Sequence, residues 1–160
     1  MVMWSTEALV MNMNEPVKPG IYRHFKGNLY FVRGLSFDGN DPTNFHLATV
    51  EYHPLYSVPN QGWRHRLYSE FFENVDKPGF NYSGPRFQLI HEPKRRYILD
   101  MILPGKQVRT FSKAEPVYTV SGLFIRDGII FVKVCSVIGT ANIDLDFQFN
   151  DFLQEFESEF

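Results

Sequence analysis

One stretch constrains this chain more than any other: residues 19 to 34, where turn formers bracket two short runs of strand-forming residues. It reads Pro19-Gly20-Ile21-Tyr22-Arg23-His24-Phe25-Lys26-Gly27-Asn28-Leu29-Tyr30-Phe31-Val32-Arg33-Gly34. Pro19-Gly20 is a turn signal, and Gly27-Asn28 suits a two-residue hairpin loop of type II′ or I′. The runs between them are rich in β-branched and aromatic residues, which favour strands. A loop at Gly27-Asn28 leaves Phe25 and Tyr30 just outside it. Alternation then puts Ile21, Arg23 and Phe25 on one face of the first strand, with Tyr22 and His24 on the other.

The rest of the chain continues in the same style. Residues 1 to 16 have only a weak period and read as an arm. Ser36 to Asn44 is a cluster of turn formers long enough for a surface loop. Phe45 to Tyr56 reads as a strand broken at His53-Pro54, and Trp63 to Leu67 as another. Tyr68 to Val75 suits a helical turn or a closing strand. Further on, Arg96 to Leu103 is an expected strand. Val117–Ile125 and Ile129–Val137 flank Asp127-Gly128, one of the strongest hairpin signals. From Asp144 to the end there are six acids and no base, with Phe149, Phe152, Leu153 and Phe156 near helical spacing. That end predicts a short acidic amphipathic helix.

Composition enters as a set of exclusions. A chain of 160 residues, 44% hydrophobic and 21% charged, folds as one domain or two very small ones rather than staying disordered. Sixteen Phe and eight Tyr fit a β-rich fold. A net charge of −2 gives no general attraction to nucleic acid or anionic membrane. Cys135 is the single cysteine, which excludes an intramolecular disulfide and a Cys-rich metal knuckle. No run has the length of a membrane span, and Met1–Glu7 lacks the basic region of a signal peptide. The expectation is a cytoplasmic protein, in the host cytoplasm if the gene is viral.

Several segments carry a resemblance to a known family. They are Pro19-Gly20-x-Tyr22-Arg23-His24-x-Lys26-Gly27-x-x-Tyr30-x-Val32-x-Gly34, Val50-x-Tyr52-x-x-Leu55-Tyr56, Gly62-Trp63, Phe71-Phe72-Glu73-x-Val75 and Pro85-Arg86-Phe87-x-x-Ile90. Over roughly residues 17 to 90 the chain resembles the bacterial and phage family called domain of unknown function 1653. The resemblance implies a small SH3-like β-barrel and no activity. The chain departs from the pattern in a longer loop at 36 to 44 and in one extra residue within Trp63-Arg64-His65-Arg66. The resemblance ends at Ile90, and the remainder reads as a β-rich extension.

Candidate sites weigh against chemistry. No Gly-x-Ser-x-Gly elbow, Walker loop or dinucleotide fingerprint is present. Cys135 lies in an alternating run, where a free thiol behaves as a small buried hydrophobe. The five histidines, at 24, 46, 53, 65 and 91, show no helical ligand pair, so a metal site assembled from distant strands carries low weight. Binding has more substance. Arg23, His24, Lys26, Tyr56, Trp63, Arg64, Arg66 and Arg86 interleave cations with aromatic rings. Such a surface can anchor a protein partner or stack the bases of a single strand. Against this, residues 1 to 90 hold eight bases and eight acids, so a basic face requires segregation in space.

The sequence therefore predicts an all-β protein in three parts. These are an arm at 1–16, an SH3-like barrel at 17–90, and a β-rich extension at 91–160 with a short C-terminal helix. The expected function is a non-enzymatic binding module without a cofactor or metal. Its expected partner is a protein held on the aromatic and basic barrel surface; the alternative is single-stranded nucleic acid or a free nucleotide on the same face. No membrane is expected, and oligomeric state is left open.

Overall fold

The computed structural model describes residues 17–37, 47–92, 101–111 and 116–158. The expected arm at 1–16 lies outside these residues, as do most of the loop at 36–44 and positions 96–100 of the strand expected from Arg96 to Leu103. The end of that strand, Met101–Leu103, is a buried turn.

The protein is all-β with a short C-terminal helix. It divides into two compact units. The first holds the described residues up to His53 together with Gly62–Glu92; the second holds Pro54–Gln61 and the described residues from 101 onward. Among the described residues, no helix is long and apolar enough to cross a membrane.

In the first unit, β1 (Gly20–His24), β2 (Leu29–Ser36), β3 (Thr49–Pro54), β4 (Arg64–Leu67) and β7 (Phe87–His91) form one sheet in the order β4-β3-β2-β1-β7. The expected SH3-like barrel takes the form of a half-barrel. β5 (Asn74–Lys77) and β6 (Tyr82–Pro85) make a separate ribbon. Residues facing each other across antiparallel strands share a face, so the register sorts the side chains. Tyr22 opposes Tyr30, His24 opposes Phe87, and Val50 and Tyr52 oppose Arg66 and Arg64. Ile21 opposes Phe31, Arg23 opposes Leu29, and Glu51 opposes His65 on the other face.

The first face is closed by rings. Phe71 stacks on Phe87 at 4.0 Å and meets Tyr22 and Tyr52 at 5.7 and 5.6 Å. Phe71 arrives on α1 (Tyr68–Phe71), a single turn closed by the Phe72 N–H to the Tyr68 carbonyl. One turn is not stable alone, because helix nucleation fixes several residues for one hydrogen bond. Burial of Phe71, worth about 1.5–3 kcal/mol, is what holds it.

The opening hairpin exists, but its loop differs from the expected one. The His24 N–H donates to the Asn28 carbonyl and the Gly27 N–H to the His24 carbonyl. The loop is therefore Phe25-Lys26-Gly27, with Gly27 alone carrying the left-handed φ of +105°. A type I′ turn needs two positive φ angles, and Asn28 does not supply the second. Phe25 is thus a loop residue rather than a strand residue.

The second unit is a sheet in the order β11-β10-β9-β8-β12, with β8 (Gln107–Thr110), β9 (Tyr118–Arg126), β10 (Ile129–Ile138), β11 (Ala141–Gln148) and β12 (Phe156–Ser158). Asp127 and Gly128 both take positive φ, 52° and 77°, between the paired Arg126 and Ile129. That is the type I′ turn expected there. α2 (Phe149–Glu155) buries Phe149 and Phe152, and Phe152 stacks on Phe156 at 4.9 Å. The helix is shorter than the acidic tail suggested. Asp144 and Asp146 lie on β11, and Phe156 opens β12. Cys135 is half-buried, since β10 turns Val132, Val134 and Ser136 inward instead.

Candidate binding surface

The strand register splits the predicted residues between the two faces of the first sheet. His24, Arg64 and Arg66 share the ring-filled face, by their pairing with Phe87, Tyr52 and Val50. Arg23, one position earlier on β1, lies on the opposite face and is exposed. Trp63 also belongs there. It meets Phe31 at 6.0 Å and His53 at 5.4 Å, and carries the Arg33 guanidinium 4.0 Å above its ring. Tyr56 belongs to the second unit, where its carbonyl accepts from Gln61 Nε2 at 2.9 Å.

The hairpin loop gathers the other part of the set. Phe25 is its centre: the His24 ring lies 4.2 Å from the Phe25 ring, Phe80 5.5 Å and Tyr82 5.9 Å. Lys26 Nζ lies 5.9 Å from Phe25 and 5.8 Å from Phe80, and Arg86 Cζ 5.9 Å from Phe25. Both backbones are fixed there. The Phe25 N–H donates to the Arg86 carbonyl at 3.0 Å, and the Arg86 N–H to the Glu73 carbonyl at 2.8 Å. Phe80 is delivered by a 3-10 turn, Pro78–Phe80, between β5 and β6. Pro78 presets the first turn, and Asn81 ends it in the left-handed region at φ 49°. Phe80 remains 54% exposed, so this ring is offered to solvent rather than spent in a core.

The electrostatics follow from this grouping. Burial, then the nearby Arg86, Lys26 and Arg66 cations, hold the His24 imidazole down to about 4. His24 is therefore neutral near pH 7. Its Nδ1 accepts the Lys26 N–H at 3.2 Å, which leaves Nε2 as the donor. Arg86 is paired with Glu73, its Nε donating to Oε1 at 2.9 Å. Arg66 Nε is buried with no hydrogen-bond partner among the described residues. On the opposite face Arg33 is also paired, through Glu51 Oε2 at 2.7 Å. His65 reaches the same carboxylate at 3.9 Å.

Of the eight predicted residues, the structure thus brings His24, Lys26, Arg66 and Arg86 together and sets Arg23 and Trp63 on the opposite face, while Tyr56 belongs to the other unit. Arg64 shares the face of Arg66, two positions along β4. The sequence set lacks Phe25, Phe80 and Tyr82, the rings that make the surface. The turn signal Pro78-Gly79-Phe80-Asn81 is the feature that could have marked Phe80 as displayed. Among the described residues, no group of three or more His, Cys, Asp or Glu is placed to hold a metal ion.

No curated protein matches the chain. A crystal structure of a DUF1653 protein from Bordetella bronchiseptica is similar at 27% identity, covering 51% of this chain and 97% of that one, with a TM-score of 0.42. The family model described as protein of unknown function (DUF1653) matches residues 20–89. The match to the DUF1653 family model, expected from the motifs, thus covers residues 20–89, and the C-terminal half lies outside it.

Proposed function

We propose that this chain is a non-enzymatic binding module that docks a protein partner on the surface made by Phe25, Phe80, Tyr82, Lys26 and Arg86. The observation that carries the reading is the display of Phe80, 54% exposed and backed by the Phe25 ring and Lys26. Ordered aromatic rings flanked by Arg are the usual anchors of protein interfaces, because they bury large area with little loss of side-chain freedom. The charge arrangement favours a protein over a single nucleic-acid strand. Arg86 is already held by Glu73, which leaves this surface too few free cations for a groove that tracks a run of phosphates. The setting proposed is the cytoplasm, where the lone Cys135 stays a thiol.

The test is a pull-down of the full chain from lysate, with and without nuclease, analysed for both protein and nucleic acid. The reading expects a discrete protein that survives nuclease. Nucleic acid in the eluate, with a steep loss of binding as salt rises, would overturn it in favour of base stacking on the same rings.

A further inference from the structure

We infer that His24, Lys26, Arg66 and Arg86 form a seat for one carboxylate of the docked partner, so that the segment recognised here is acidic as well as aromatic or aliphatic. This rests on the docking surface proposed above and names the chemistry of what occupies it. Three observations carry it. First, three of the four groups converge on one ring: His24, Lys26 and Arg86 lie 4.2, 5.9 and 5.9 Å from Phe25. The fourth, Arg66, shares the His24 face of the sheet through its pairing with Val50. Second, Arg66 is half-buried, and among the described residues no acceptor holds its guanidinium: its Nε, closed to solvent, has no hydrogen-bond partner and no ion pair involves it. Third, the charges do not balance. Lys26, Arg66 and Arg86 bring three positive charges, and Glu73 on Arg86 brings one negative, which leaves two in excess.

The donors suit a carboxylate. A guanidinium offers its N–H groups in a planar fork that matches two carboxylate oxygens. The neutral His24 adds an Nε2–H donor, because its Nδ1 already accepts the Lys26 N–H. A lysine completes the set with a mobile point charge. A phosphate shares part of this chemistry, and the experiment separates the two.

The test uses the full chain with its histidine rings followed by 15N NMR. The probe is a capped peptide of glutamate and phenylalanine residues, with its glutamine counterpart and inorganic phosphate alongside. The glutamate peptide should saturate, shift the His24 ring signals, and move the His24 titration upward as the added negative charge offsets the cations. The glutamine peptide should bind roughly tenfold more weakly or worse, the loss of one charge-assisted contact. Arg66→Gln and Lys26→Ala should each weaken the glutamate peptide by a similar factor. Lys26 is exposed, so its variant keeps the test open if Arg66→Gln unfolds. Equal binding of the two peptides, an unmoved His24, or phosphate binding more tightly than the glutamate peptide would each overturn the carboxylate seat. A captured protein partner that ignores Arg66→Gln and Lys26→Ala would sink the seat and leave the docking surface standing. A saturable seat without any nuclease-resistant partner would sink the docking reading alone.

Discussion

At Gly27 the backbone takes a φ of +105°, and a methyl group there would meet no atom within 4 Å. Gly27→Ala therefore costs only backbone strain, about 1 kcal/mol. Gly122 presents the opposite case. A Cβ there would stand 2.8 Å from the Leu55 carbonyl oxygen, which cannot move aside, since the Leu123 N–H donates to it at 2.6 Å. Gly122→Ala should cost about 3 kcal/mol, the upper range for overpacking, and thermal unfolding of the two variants will rank them. His24 makes a prediction in pH. In the native unit its imidazole stays neutral down to about 4, whereas an unfolded histidine takes up its proton near 6.5. Between those values the unfolded chain binds more protons, so stability is full above 6.5 and is lost as pH falls toward 4. His91, lowered by burial, adds the same sign. His24→Asn should flatten the dependence of melting temperature on pH over that window; an unchanged slope would show that the imidazole is not held neutral. Little of this site could be read from residue types. His24 and the cations Lys26, Arg66 and Arg86 were recognisable as polar groups near rings, but Arg23 has the same chemistry and faces the other way because strand alternation, shifted by one residue, moves it across the sheet.

Among the elements, those whose backbone needs were specific were the legible ones. Asp127-Gly128 supplies two positive φ angles, the requirement of a type I′ turn, and the β9–β10 hairpin forms around it as expected. Gly27-Asn28 carried a weaker signal, because the same glycine also closes a three-residue loop, and there Phe25 leaves the strand to meet Phe80 and Tyr82. The tail held two periods at once. Ile143, Leu145 and Phe147 alternate as on a strand, while Phe149 and Phe152 follow helical spacing, so β11 ends and α2 begins between Gln148 and Phe149. The one-turn α1 tests how such short elements survive. If burial of Phe71 against Phe87 holds it, Phe71→Ala should cost about 3–5 kcal/mol and expose the face bearing Tyr22 and Tyr52. Increased amide hydrogen exchange at Phe72 and in β7 is the expected readout. A loss confined to the Phe72 amide would mean that the sheet face does not depend on the ring.

For the whole molecule, the family match and the units of the fold are drawn along different lines. The match spans 20–89, yet Pro54–Gln61 within it belong to the C-terminal unit, where Leu55 is fully buried and hydrogen-bonded to β9. Leu55→Asp should accordingly raise hydrogen exchange at Leu123 and along β9 more than in β1; an effect centred on β1 would contradict that division. No local pattern announces it, because a segment's membership in a core depends on contacts distant in sequence. In the docking proposal, Phe80 and its neighbours anchor a protein. That anchoring is tested most directly by quantifying capture of the nuclease-resistant partner by wild type, Phe80→Ala and Phe111→Ala. The two phenylalanines are comparably exposed, 54% and 58%, but Phe80 stands against Phe25 and Lys26 while Phe111 belongs to the other unit. Phe80→Ala should weaken capture roughly 30-fold, the loss of one anchor worth about 2 kcal/mol, and Phe111→Ala should leave it unchanged. Equal capture by wild type and Phe80→Ala would contradict the proposal.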